Sequence, residues 1–107
     1  MGDRISIQFR KGNETSVALF HHWMGTELKN QVMTYIKELK ERITSSGTYP
    51  LDRLEPSIVM LDFVRELTED MVEVRSGMYL GRDGSDGDNS DNGNWVLDLD
   101  TLNWEEE

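Results

Sequence analysis

A chain of 107 residues with 36% hydrophobic and 30% charged side chains has room for one globular domain. Wholesale disorder is excluded by that composition, a membrane span by the lack of a long apolar run, and disulfides, thiolate metal sites and cysteine nucleophiles by the absence of cysteine. The net charge of −10 is unevenly placed: residues 1–82 carry 12 acidic and 11 basic side chains, residues 83–107 nine acidic and none basic.

Ile5, Ile7 and Phe9 alternate with Arg4, Ser6, Gln8 and Arg10, which predicts a half-buried strand with one wet face. Lys11 to Glu14 is a turn by composition. A second strand over about 16–24 is apolar on both sides and reads as interior, forming a hairpin with the first. Gly25-Thr26 breaks it, with the Thr26 hydroxyl available as a helix cap. Leu28, Val32, Tyr35, Ile36, Leu39 and Ile43 then recur at helical spacing over 27–44.

A second helix follows, opened either by an Asp52-x-x-Glu55 capping box or by Pro56 at its first position. Val72, Val74, Met78 and Leu80 alternate as a third strand, with Gly77 as a bulge. Trp95, Leu97 and Leu99 alternate as a fourth. The order ββααββ predicts an α+β two-layer sandwich: a mostly antiparallel four-stranded sheet covered by two helices. The domain spans 1–104 and includes an acidic loop at 82–94. Residues 105–107 are expected to fray as an acidic tail.

Chemistry concentrates in that loop. Asp88, Ser90, Asn92 and the carbonyl of Asn94 stand at calcium-loop spacing, with Gly93 where the sharp turn falls, because alternate oxygens converge on a hard cation. Leu99 occupies the place of the closing bidentate glutamate, and no helices flank the loop. The plainer reading is therefore a hydrophilic hairpin connector with turn chemistry at Asn92-Gly93. His21 and His22 are neighbours on a strand and so face opposite sides, which keeps them from chelating one ion together. A hydrolase built on His22 and a carboxylate is the weakest alternative, since no paired acid–base spacing, nucleophile elbow or phosphate-binding loop is present.

Met1-Gly2-Asp3-Arg4 with its strand, Leu19 to Gly25 around His22-Trp23, and Asp91-Asn92-Gly93 before an aliphatic-Asp strand resemble a family of small bacterial, archaeal and phage proteins. These share a Met-Gly-Asn/Asp-Arg strand, a His-Trp-x-Gly segment and a C-terminal Asp-Asn-Gly hairpin. His21, in place of an apolar residue, and the extended Asp/Gly loop depart from that pattern. The resemblance implies no activity and no catalytic residue; it implies an association with mobile elements.

The expected function is that of an acidic accessory or interaction protein without catalytic activity, in the cytoplasm, with a protein partner of basic character. Calcium response and acidic mimicry of nucleic acid are the alternatives. Direct nucleic-acid binding is disfavoured by the want of a Lys/Arg cluster, and membrane association by the lack of an apolar segment.

Overall fold

The computed structural model describes residues 3–46, 55–69 and 77–107. Its elements are β1 (Ile5–Lys11), β2 (Glu14–Thr15), β3 (Ala18–His21), α1 (Glu27–Ser46), α2 (Pro56–Leu67), β4 (Met78–Gly81), β5 (Asn94–Asp98) and β6 (Trp104–Glu106). The α+β class and the two helices match expectation. The sheet does not: among the described residues it has six strands and is mixed, in the order β4-β3-β1-β5-β6 with β2 beside β1.

The difference begins with β5. Instead of forming a hairpin with β4, it pairs parallel to β1, Ile7 opposite Trp95 and Phe9 opposite Leu97. β4 is antiparallel to β3, and β3 to β1, so β4 and β5 point the same way on opposite flanks of a β3–β1 centre. A tight turn cannot join two parallel strands; the connection has to cross a sheet face. Alternation in sequence reports which residues share a face but not which strand lies beside which, so the antiparallel four-stranded arrangement was one of several compatible orders.

Strand β3 is interior, as its two apolar faces require, but the predicted strand over 16–24 is interrupted. The register between β1 and the following strand moves from Arg10 opposite Thr15 to Ile7 opposite Leu19, one extra residue having been inserted. Ser16 fills the gap: its Oγ accepts from the Phe9 amide (2.9 Å) and donates to the Val17 carbonyl (2.8 Å). This is a β-bulge with the ladder repaired by a buried hydroxyl.

On one face of the sheet, Ile5, Ile7, Phe9, Leu19 and Leu97 meet Leu28, Val32, Tyr35, Ile36 and Leu39 of α1 and Val59, Met60 and Phe63 of α2. Phe63 stands edge-on to Phe9, with ring centroids 6.1 Å apart, and packs against Tyr35 at 5.3 Å. The Tyr35 hydroxyl donates to Asp62 (2.6 Å), joining the two helices, and burial pushes the phenol well above its ordinary value. Lys29 lies over the Trp95 ring, 3.5 Å from its centroid, and near Trp104, which fixes the start of α1 against β5 and β6.

Helix α2 opens with Pro56 at its start and Glu55 as a cap residue that makes no side-chain cap bond; Asp52 lies outside the described residues. The first turn of α1 closes through backbone bonds, Leu28 N–H to Gly25 and Lys29 N–H to Thr26, in place of the expected Thr26 hydroxyl cap. Val72 and Val74 also fall outside the described residues. At the other end, the acidic tail expected to fray is a strand. Glu105 and Glu106 pair with Val96 and Trp95, and the Glu107 amide donates to the Asn94 carbonyl (2.9 Å). Leu102, at a φ of 59°, makes the tight reversal that returns the chain alongside β5. No helix among the described residues is long and apolar enough to cross a membrane.

Candidate functional site

The polar face of β1 is not wet. Ser6 is fully buried and Gln8 is 5% exposed, because the connection from β4 to β5 crosses over them. Below this crossing lies a small second core: Phe20 is buried and stacked on Tyr79, with centroids 4.8 Å apart and planes 5° from parallel. Two glycines allow the crossing chain to approach so closely. A Cβ on Gly87 would stand 2.6 Å from the Tyr79 ring and 2.9 Å from Phe20, and one on Gly84 would collide with the Asn94 side chain. The Asp/Gly composition that reads as a solvated hairpin is thus that of a backbone laid flat on a sheet, with its carboxylates turned outward.

Cations from the body hold those carboxylates. Arg4 donates through Nη1 to Asp88 (2.5 Å), and through Nε (2.9 Å) and its backbone amide (3.0 Å) to Asp91. Arg82 pairs with Asp86 (3.1 Å), Arg10 with Glu105 (2.6 Å) and Asp98 (3.4 Å), and Lys11 with Asp100. The surplus seen in the last quarter of the sequence is therefore largely counter-charge for β1 and its neighbours.

These contacts hold carboxyls below their ordinary value: Asp91 by the Arg4 hydrogen bond, Asp86 by Arg82, Asp88 by the Ser90 amide, Asp83 by Ser85, and Asp98 by the Asp100 amide. A carboxyl whose folded value is depressed stabilises fully above its unfolded value and loses that contribution as pH falls through the folded one. Amide exchange protection across 83–93 is thus expected to hold from neutral pH to about pH 4 and to fall below it. Protection unchanged down to about pH 2 would contradict the pairing account.

Between the crossing and β6 a cleft of about 510 Å³ stays open, lined by Gln8, Asp83, Gly84, Ser85, Asn89, Gly93, Asn94 and Glu107. Its floor is a directional chain of hydrogen bonds. Asn89 Nδ2 donates to Ser6 Oγ (2.7 Å), and Ser6 Oγ donates to Asn94 Oδ1 (2.7 Å). Asn94 Nδ2 donates to Gln8 Oε1 (3.0 Å), and Gln8 Nε2 donates to the Ser16 carbonyl (3.1 Å). Asp83 and Glu107 are the only charged residues in the lining among the described residues, and both are anionic. The volume suits a small polar group or a side chain, and the lining suits one that is cationic.

The residues at calcium-loop spacing have separate partners. Asp88 faces Arg4, and its Oδ1 accepts from the Ser90 amide (3.2 Å). Asn92 Nδ2 donates to Asp3 Oδ1 (2.7 Å) and to the Arg4 carbonyl (3.0 Å), while the Asn94 carbonyl accepts from the Glu107 amide (2.9 Å). A guanidinium thus lies between Asp88 and Asp91. Among the described residues no group of three His, Asp or Glu side chains is placed to hold a metal ion.

The two histidines do face opposite ways. His21 is buried, accepts through Nδ1 from the Trp23 amide (3.1 Å), and is held below its ordinary value by burial. The His22 ring stands edge-on to Tyr79 (5.8 Å) and Trp23 (6.3 Å), and Trp23 is 62% exposed.

The segments around Asp3-Arg4, His22 to Gly25 and Asn92 meet at one corner of the sheet. The Asp3 amide donates to the His22 carbonyl (2.5 Å), the Gly25 amide to the Asp3 carbonyl (2.8 Å), and the Asn92 amide to the Arg4 carbonyl (2.9 Å).

Sequence reasoning missed the cleft. The available signal was the choice of Ser6 and Gln8, a hydroxyl and an amide in place of charges, on the same face as Phe20 of a neighbouring strand. Comparison of the chain with protein-family models, with curated proteins and with solved structures gives no match.

Proposed function

We propose that this chain is a non-catalytic accessory protein that binds a basic segment of another protein on the open part of its outer sheet face. The observation that carries this reading is the cleft beside the acidic crossing, where Asp83 and Glu107 join an amide floor and no Lys or Arg is among the described lining residues. The titratable groups nearby are tied into structural pairs, as in Arg4–Asp88 and Arg82–Asp86, which favours recognition over acid–base work. A role in a mobile element is supported by the resemblance of the corner motifs to small bacterial, archaeal and phage proteins alone.

Calorimetry with a short Arg/Lys-rich peptide tests the reading. Binding is expected at low ionic strength and is expected to weaken severalfold between about 0.05 and about 0.5 M salt, as screening shortens the reach of the carboxylates. An acidic peptide of equal length should not bind. Absence of any basic-peptide binding at low salt sinks the proposal.

The calcium alternative requires Arg4 to leave Asp88. Millimolar calcium is therefore expected to leave the backbone amides of 86–95 unshifted, and a saturable shift there would revive it. Mimicry of nucleic acid needs free carboxylates at phosphate-like spacing, and the pairing with Arg4, Arg10, Lys11 and Arg82 weighs against it.

A further inference from the structure

The cleft has a chemistry narrower than negative charge, and we infer that it is a receptor for a single arginine side chain of the partner, with the guanidinium seated between Asp83 and Glu107 over the Gln8–Asn94 floor. This rests on the binding role proposed above.

Three features of the cleft point that way. The first is the supply of acceptors. Asp83 Oδ1 takes two bonds from Ser85, from its amide (2.9 Å) and its hydroxyl (2.5 Å), which fixes the carboxylate and leaves Oδ2 for a ligand. Asn89 spends its Nδ2 on Ser6 and on the Gly84 carbonyl, so its Oδ1 is available as an acceptor. Glu107, held beside the floor by its amide bond to the Asn94 carbonyl (2.9 Å), adds a second carboxylate to the lining. These acceptors come from three residues on two segments, the crossing and the end of β6, around one opening, which matches a planar fork of five N–H donors better than a compact ammonium.

The second feature is rigidity. Gln8 and Asn94 are 5% and 7% exposed, and each amide is oriented by partners on both its oxygen and its nitrogen. A fixed polar floor lowers the ordering cost of binding and penalises a ligand that cannot match it.

The third is charge sign by position. The nearby cations are already engaged outside the cleft, Arg10 with Glu105 and Asp98, and Arg4 with Asp88 and Asp91. An incoming guanidinium would meet two carboxylates without a competing internal cation among the described lining residues.

The test uses the full chain and two capped Gly/Ser peptides that differ only in carrying either arginine or lysine at their centre, with free arginine amide as a third probe. Side-chain amide resonances of Gln8, Asn89 and Asn94 report occupancy directly. The arginine peptide is expected to shift them saturably and to bind at least fivefold more tightly than the lysine peptide. Free arginine amide should shift the same signals more weakly, which marks a side-chain receptor and not a small-molecule site; tighter binding of the free form would overturn the assignment to a partner. The double variant Asp83→Asn/Glu107→Gln should weaken the arginine peptide at least tenfold. Glu27→Gln/Glu41→Gln, the same change of charge on α1 across the sheet, should alter it less than twofold. Equal loss in both double variants, or equal affinity for both peptides, would show attraction by overall charge alone. That outcome overturns the arginine receptor while leaving the basic-partner reading intact, whereas no binding of any cationic probe removes both.

Discussion

Replacing Phe20 by alanine is expected to destabilise the protein by about 3–5 kcal/mol, the range for emptying a buried aromatic site. Phe20 sits on the face opposite the helices, outside the main core, and its ring is stacked on Tyr79 and closely approached by the backbone at Gly81 of β4 and at Gly87 of the acidic crossing. If the crossing were a solvated hairpin loop, that ring would be half exposed and its removal would cost little. The proposed layer makes a second demand. The same substitution should lower amide protection throughout 82–93 while leaving α1 protected until global unfolding, because the crossing loses its apolar footing before the helix face loses anything. Chemical denaturation and hydrogen exchange measure the two effects. A cost below about 1 kcal/mol, with the crossing still protected, would show that the outer face is not a packed layer.

That packing explains which parts of the structure could be read from sequence. Helix α1 was legible because Leu28, Val32, Tyr35, Ile36 and Leu39 obey a single period and all meet the sheet. The interior position of β3 was legible because Leu19 faces the helices while Phe20 faces the other way, and each side has a core to fill. The pairing of β1 with β5 was not legible. It depends on contacts between residues nearly ninety positions apart, such as Ser6 with Asn94, and nothing local distinguishes that order from two adjoining hairpins. Ser6 and Gln8 were misread as facing water for the same reason, since the chain that buries them arrives from the far end of the sequence. Charge was misleading in a related way. Counting Asp88, Asp91 and Asp100 as surplus ignores that Arg4 and Lys11, almost the whole chain length away, are their partners.

The amide chain beneath the cleft gives the second large expectation. Asn94→Leu keeps the approximate volume but removes the acceptor for Ser6 Oγ and the donor to Gln8 Oε1, leaving two buried groups to lose their partners together. At about 1–3 kcal/mol for each orphaned group, and with some relief from water entering the open cleft, a loss of about 2–4 kcal/mol is expected. Asn94→Asp is no gentler. It still accepts from Ser6, but it sets a carboxylate oxygen against the Gln8 carbonyl oxygen where an N–H now points. The directional character of the chain can be isolated with a cycle. Ser6→Ala in the Asn94→Leu background removes one of the orphaned groups, so the double variant should be more stable than the sum of the single losses implies, by about 1 kcal/mol. Simple additivity would mean that Ser6 and Asn94 act independently. The amide floor would then owe its orientation to the crossing alone, and the cleft would be a gap left by the fold, without a receptor's fixed geometry.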